Sequence, residues 1–198
     1  YAQEESYNRS ENIRWGIEKR MQNGTSLLYN RRCFGYRKNE NGTLEICPEE
    51  AEVVRLIFDF YLRGGSILSI IKELENRQIQ TPSGKKKWCT QTVVKILTNE
   101  KYIGNVLLKK TYTDGFPNRK RRNNCGEKDQ YLAEQLHPEI ISKEIFDAVQ
   151  SERQRRSNVV IDENGEKKRA GKRYCSKITP ETDIESFDDT LDYSSYSE

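Results

Sequence analysis

The segment between residues 64 and 97 restricts the fold of this chain more than any other part of the sequence. Its first half repeats apolar side chains at helical spacing, at Ile67, Ile70, Ile71 and Leu74. Ser66 stands directly before this stripe, and its hydroxyl can accept an amide hydrogen of the first helical turn. The segment therefore begins with an amphipathic helix whose apolar side needs a partner within the same domain.

A second amphipathic helix is predicted after the linking residues 77–89, which contain three consecutive lysines, Lys85, Lys86 and Lys87. Thr90 is expected to cap this helix. Its inner face would be Val93, Ile96 and Leu97, and its outer face Gln91, Thr92 and Lys95. Helix-turn-helix proteins present a helix to the DNA major groove in this way, although their turn is usually only about three or four residues long. Packed helices beside lysines also occur in proteins without a nucleic-acid partner, so this segment alone does not establish DNA binding.

The distribution of charge favours a polyanionic partner. The whole chain carries 34 Lys and Arg against 31 Asp and Glu, a net charge of only +3. No Lys or Arg follows Lys177, however, and seven of the acids do. Residues 1–177 therefore carry about +10, and clustered bases on this scale are typical of proteins that bind nucleic acids.

The cysteines and the single histidine give no indication of a metal or cofactor. The five cysteines (Cys33, Cys47, Cys89, Cys125 and Cys175) form no C-x-x-C pair, and His137 is the one histidine. A structural zinc site usually needs four ligands with close pairing, so no metal is predicted. His137 is interpreted as a turn residue and nothing more. Scattered, odd-numbered cysteines favour reduced thiols, and no apolar run approaches the roughly 18 residues of a membrane span. We therefore expect a cytoplasmic protein.

Further elements precede this segment. Residues 1–24 follow a helical period up to Asn23-Gly24 and predict a long helix. Asn41-Gly42 lies between short apolar runs and predicts a hairpin turn. Pro48 opens a helix that should stop at Gly64-Gly65. Its broad apolar face is expected to be the main core element and comprises Ala51, Val53, Val54, Ile57, Phe58, Phe60 and Tyr61.

Strands and one more helix are predicted towards the end of the chain. Residues 99–108 indicate a turn that runs into a strand, and Tyr131–Ala133 a second strand of the same hairpin. The basic residues 119–124 between them are interpreted as a polar loop. Ser142 should cap a last helix, which ends near residue 156. Residues 157–198 change from basic to acidic with few apolar side chains, which predicts a disordered tail.

The order of these pieces resembles the recombinase DNA-binding domain of the large serine recombinases, a family of serine integrases and transposon recombinases. The resemblance rests on Gly35-Tyr36, the helix from Glu50 to Tyr61, Gly65-Ser66, Thr81-Pro82, Trp88, Asn99, Tyr102-x-Gly104 and His137-Pro138. It implies three parts: a linker helix from the catalytic domain over residues 1–24, the DNA-binding domain over 25–156, and the tail. It also implies that neither the catalytic domain nor the family's zinc ribbon lies in this sequence. No serine of this chain is then the nucleophile, and self-association is expected only in the full-length recombinase.

The expected fold is α+β and mainly helical: a helix-turn-helix-like DNA-binding domain with a small β-hairpin, preceded by a long linker helix. The expected partner is double-stranded DNA. Phosphate contacts are assigned to Arg31, Arg32, Arg37, Lys85, Lys86, Lys87, Arg119, Lys120, Arg121 and Arg122. Base contacts are assigned to Thr90, Gln91, Thr92 and Lys95. Trp88 is expected in the core rather than stacked on a base.

Two other functions remain compatible with the sequence. A transcription regulator with an unusual winged helix-turn-helix would share every basic feature but would need its own dimer interface. A protein-interaction module could use the same bases to bind an acidic partner. Salt dependence combined with sequence preference distinguishes DNA binding from protein binding.

Overall fold

The computed structural model describes residues 2–113, 120–161 and 167–169. The helices are α1 (Ala2–Gln22), α2 (Pro48–Leu62), α3 (Ile67–Asn76), α4 (Thr90–Leu97) and α5 (Lys143–Arg156), with a short 3-10 helix at Glu100–Ile103. The strands are β1 (Tyr36–Lys38), β2 (Leu44–Ile46), β3 (Val106–Leu108), β4 (Thr111–Thr113), β5 (Arg121–Asn123), β6 (Tyr131–Ala133), β7 (Val159–Ile161) and β8 (Lys167–Arg169). The chain divides into two compact units, with the boundary after residue 155. The α+β, mainly helical class predicted from the sequence is confirmed.

Helix α2 is the centre of the core, as predicted. Pro48 occupies its first turn, where its missing N–H costs no hydrogen bond, and Glu49 and Glu50 complement the positive end of the helix dipole. One face is fully buried and consists of Ala51, Val54, Ile57, Phe58 and Tyr61. Helices α3 and α4 both pack against α2 and against each other. The three helices therefore share one apolar core.

Helix α3 begins where the sequence predicts. The Ser66 hydroxyl accepts a hydrogen bond from the Ser69 amide at 3.1 Å, which caps the helix. Ile70, Ile71 and Leu74 are buried on its inner face. Gly65 is needed at the junction with α2, because a Cβ there would lie 2.6 Å from the Phe60 carbonyl oxygen. The path from α2 into α3 is therefore fixed by a cap and a close backbone approach.

Helix α4 corrects one prediction. The residue at its N-cap is Cys89, with extended backbone angles (φ −122°, ψ 150°), and Thr90 is the first helical residue. The Cys89 carbonyl accepts the amide hydrogen of Thr92 at 3.0 Å, so the helical hydrogen bonding starts one residue before the predicted cap. The assignment of Thr90 as the cap was therefore wrong.

We expect Ser66→Ala to lower the free energy of unfolding by about 1 kcal/mol, because the capped amide of Ser69 loses its acceptor. Thr90→Ala is the matched control, since Thr90 caps nothing and is exposed. That variant should stay within about 0.5 kcal/mol of the wild type. Chemical denaturation of both variants measures the difference, and equal losses would contradict the assignment of the caps.

The interpretation of His137 as a turn residue and nothing more was also wrong. His137 is buried, and its ring packs edge-on against Tyr36 with centroids 4.7 Å apart. Its Nε2 lies 2.7 Å from the Lys101 carbonyl oxygen, which also accepts a hydrogen bond from the Tyr36 hydroxyl at 3.1 Å. Burial lowers the pKa of His137, which favours the neutral ring. His137 therefore belongs to the aromatic part of the core.

The strands form separate antiparallel pairs. The turn predicted at Asn41-Gly42 joins β1 to β2, and Gly42 has the positive φ (75°) that this turn requires. Strand β6 pairs with β3, which confirms the predicted hairpin. Strand β5 pairs with β4, so residues 121–123 are not loop as predicted. Their pairing depends on contact with residues 111–113 rather than on their own composition, which is polar and basic.

The described part of the second unit is β7 paired with β8. Most of the tail, for which disorder was predicted, lies outside the described residues, as does Arg119. The prediction for the tail stays a prediction.

Candidate nucleic-acid interface

The three-lysine run lies on a loop with a well-defined internal structure. Thr81 is buried, and its hydroxyl accepts the Lys85 amide hydrogen at 3.0 Å. The Thr81 amide in turn donates to the Lys85 carbonyl at 2.9 Å, and Gly84 adopts the positive φ (74°) that closes the turn. These hydrogen bonds hold the backbone at Lys85 in place.

The other end of the run is fixed by Trp88, which is buried as predicted. Its indole Nε1 donates to the Ile79 carbonyl at 2.8 Å, and its amide donates to the Glu75 carboxylate at 3.0 Å. Lys85, Lys86 and Lys87 themselves are exposed, and none forms an ion pair with the described residues. The structure therefore presents three uncompensated positive charges on an anchored loop.

Helix α4 follows this loop directly. Val93, Ile96 and Leu97 are buried, whereas Thr90, Gln91 and Lys95 are exposed. Thr92 is half-buried, and its hydroxyl lies 3.0 Å from the Cys89 sulfur. Gln91 and Lys95 are four residues apart and so lie on the same outer face of the helix. On that face, the side chains of Gln91 and Lys95 form no hydrogen bond or ion pair with the described residues.

The basic segment between residues 31 and 37 lies next to the same loop. The Phe34 ring packs edge-on against Trp88, with centroids 6.3 Å apart. Arg32 forms an ion pair with Glu50 at 2.8 Å, and Arg37 pairs across the β1–β2 hairpin with Glu45 at 2.6 Å. Both guanidinium groups remain largely exposed, but part of their charge is compensated. Arg31 is exposed and makes no ion pair with the described residues.

Lys101 organises this segment, and the sequence did not single it out. Its ammonium group donates to the carbonyls of Tyr29 (3.2 Å) and Arg31 (2.5 Å). Burial lowers the pKa of Lys101, and it raises the pKa of the neighbouring Cys33 thiol to about 11. The Cys33 thiol is therefore protonated at neutral pH, and Lys101 connects the segment to the 3-10 helix that follows α4.

The remaining predicted contacts lie on a different element. Arg121 and Arg122 belong to β5, and Lys120 directly precedes it. All three are exposed. Arg121 Nε donates to the Thr111 hydroxyl at 3.0 Å across the β4–β5 pair. The structure therefore divides the predicted contacts into a group around α4 and a group on the β4–β5 hairpin.

The described residues contain neither a metal site nor a membrane-spanning helix. No group of three or more His, Cys, Asp or Glu side chains in these residues could hold a metal ion. Likewise, no helix in the described part of the chain is both long and apolar enough to cross a membrane.

Comparison with known proteins gives one matching family model and several relatives. The model described as Recombinase matches residues 48–156, which is more than half of the chain. A "Putative DNA recombinase" of Bacillus subtilis (strain 168) is 32% identical over 95 residues. That match spans 45% of this chain and 19% of the relative, so the chain corresponds to about a fifth of that protein.

Two solved structures are also similar. One, described as "Sequence Requirements of the Listeria innocua prophage attP site", is 28% identical with a TM-score of 0.41, and the match covers 61% of this chain and 41% of that chain. The other, "Crystal Structure of a LSR-DNA Complex", is 27% identical with a TM-score of 0.42, covering 64% and 34% respectively. The family predicted from the sequence is confirmed by the family model, and the chain belongs to the Recombinase family.

Proposed function

We propose that residues 25–156 bind double-stranded DNA with sequence preference, as the DNA-binding domain of a large serine site-specific recombinase. The observation that carries this proposal is the anchored three-lysine loop directly before the exposed face of α4. Such a loop positions a protein on the phosphate backbone, and the adjacent helix face can then read base edges. Helices α3 and α4 would act as a helix-turn-helix with an extended turn.

The structure supports different roles for the predicted residues. Lys85, Lys86 and Lys87 would neutralise phosphates, and Arg31 would add a contact beside them. Arg32 and Arg37 would contribute less, because a phosphate has to compete with Glu50 and Glu45 for them.

On α4, Gln91 can pair with adenine through two hydrogen bonds, and Lys95 can donate to guanine. Thr90 can donate a hydrogen bond to a base edge. Thr92 would contribute its methyl group to a thymine contact, because its hydroxyl already interacts with Cys89.

Residues 1–24 would be the linker helix, and strand exchange would be carried out by a part of the full-length recombinase outside this sequence. We assign no nucleophilic role to the serines present, so the chain itself should bind DNA without forming a covalent adduct. The proposed compartment is the bacterial cytoplasm.

Selection of bound duplexes from a randomised pool, followed by binding measurements on the enriched sequence, tests this function. We expect Gln91→Ala to leave folding intact and to relax preference at one base pair by about 1–3 kcal/mol. Binding to random duplex should change little, because Gln91 carries no charge. The measurement is a binding series on singly substituted sites, together with a thermal melt of each variant.

Gln154→Ala is the matched control, because Gln154 is an exposed glutamine on α5, away from α4 in the sequence. It should alter neither affinity nor preference. A Gln91→Ala variant that weakened the enriched site and random DNA equally would show that residue 91 contacts the backbone. A wild-type chain that enriched no sequence and bound duplex no better than an acidic polypeptide would contradict the proposed function itself.

A further inference from the structure

The β4–β5 hairpin and the residues beside it are called the arm, which we define as residues 109–113 and 120–130. It carries six basic residues against two acidic ones, Glu127 and Asp129. All three residues of β5 are exposed, and the strand has no apolar side chain to bury. A partner surface made of protein would normally find apolar side chains at its centre. The composition of the arm instead favours a partner that is negatively charged and accepts hydrogen bonds.

The base of the arm is anchored by its first two lysines. Lys109 forms an ion pair with Glu18 of α1 at 2.6 Å, and its side chain is only 15% exposed. Lys110 forms an ion pair with Glu100 of the 3-10 helix at 2.5 Å. These two positive charges are compensated within the domain. The basic residues farther along the arm are Lys120, Arg121, Arg122 and Lys128.

Asn124 fixes the junction between the base and the arm. It is buried, and its amide nitrogen donates to the carbonyls of Lys109 (3.0 Å) and Lys128 (2.7 Å). Its side-chain oxygen accepts the amide hydrogens of Gly126 (3.2 Å) and Lys128 (3.0 Å). The Asn124 amide itself donates to the Lys110 carbonyl at 2.8 Å. One side chain therefore holds both strands and the 124–130 loop in a single arrangement.

The cations of the arm lie on both of its faces. Tyr112 is opposite Arg122, and the Lys128 ammonium lies 5.6 Å from the centroid of the Tyr112 ring, so these three share one face. Arg121 belongs to the other face, where it bonds Thr111. A two-stranded ribbon with donors on both faces fits within a DNA groove or between phosphates on either side of it.

The arm is attached near the opposite end of α4 from the proposed reading face. Its base is tied to the 3-10 helix, which follows the C-terminal end of α4, whereas the lysine loop and Gln91 are at the N-terminal end. The eight residues of α4 separate these ends by about 12 Å. We propose that the arm is a second contact with the phosphates of duplex DNA, outside the site bound by α4, and that Asn124 is the residue that positions it. This proposal rests on the proposed function.

The test uses a duplex that the wild-type chain enriches from a randomised pool, prepared in two lengths. One is the enriched core alone, and the other carries about one helical turn (~10 base pairs) of unrelated sequence on each side. The triple variant Lys120→Ala, Arg121→Ala, Lys128→Ala should bind the core like the wild type. On the flanked duplex its affinity should fall about tenfold or more, and the slope of log K against log salt should flatten by up to about 2.7.

Asn124→Ala tests the positioning role, with the exposed neighbour Asn123→Ala as its matched control. Asn124→Ala should show the same loss on the flanked duplex alone, although it removes no charge, and Asn123→Ala should show none. A structural defect of the whole domain would instead weaken binding to both lengths and lower the melting temperature.

Equal binding of the triple variant and the wild type to the flanked duplex would overturn the arm proposal. An equal loss on both lengths would also overturn it, because the arm would then be part of the core contact. If the wild-type chain bound neither duplex, the proposed function would fail together with the arm. The two failures are therefore distinguishable.

Discussion

Replacing Phe58 with alanine is expected to lower the free energy of unfolding by about 3–5 kcal/mol. Phe58 is 1% exposed at the centre of α2, and its ring contacts Tyr102 edge-on (6.1 Å between centroids) and Phe146 (6.2 Å). The truncation loses both ring contacts and leaves a cavity into which the surrounding structure relaxes only in part. Urea denaturation followed by circular dichroism measures the loss.

Leu68→Ala is the matched control, because it also truncates an apolar side chain but at a position that is 65% exposed on α3. Its cost should be within about 0.5 kcal/mol. Since a domain of this kind is stable by only about 5–15 kcal/mol, the loss expected for Phe58→Ala is a large fraction of its total stability. Comparable costs for the two variants would mean that the inner face of α2 is not the core.

Most of the helical part of the fold follows from local sequence. The apolar face of α2, the Ser66 cap and the inner faces of α3 and α4 were all predicted, because a helix is determined by spacing and by groups within one turn of each other. The cap of α4 was misplaced by one residue. Thr90 is the better capping residue by type, but the buried Trp88 fixes the chain so that Cys89 has the extended backbone.

The features that sequence reasoning missed all depend on distant partners. His137 acquires its role from Tyr36 and from the Lys101 carbonyl, which are far apart in sequence. The sequence around Lys101 does not distinguish it from other lysines, because its role depends on contacts with the distant carbonyls of Tyr29 and Arg31. The sequence around β5 has low strand propensity, so only its pairing with β4 indicates a strand.

The sequence shows which residues of the candidate site are basic, but not which of them are paired with carboxylates. The basic residues were identified from their clustering, since charge is visible in the sequence. Which of them are compensated depends on tertiary contacts: Arg32 and Arg37 each face a carboxylate, whereas the three-lysine loop does not. This difference ranks the lysine loop above the arginines in the proposed contact with DNA.

The triple variant Lys85→Ala, Lys86→Ala, Lys87→Ala should therefore show the largest loss of DNA binding. Releasing about 0.9 counterion per phosphate is worth roughly 1 kcal/mol near 0.15 M salt, so three lost contacts weaken binding by about two orders of magnitude. The loss should be similar for the enriched site and for random duplex, because phosphates carry no sequence information. The slope of log K against log salt should flatten by up to about 2.7. Fluorescence anisotropy titrations over a range of salt concentrations measure both quantities.

A variant with three alanines at Lys19, Lys38 and Lys143 is the matched control, because it removes the same charge from exposed positions outside the predicted contacts. It separates the effect of net charge from that of local contact. The lysine-loop variant should melt like the wild type, since the loop is held by Thr81 and Trp88 and not by the lysine side chains. If its salt slope matched that of the control variant, the three lysines would contribute only to the overall field of the protein. The anchored loop would then have no part in placing α4 on DNA.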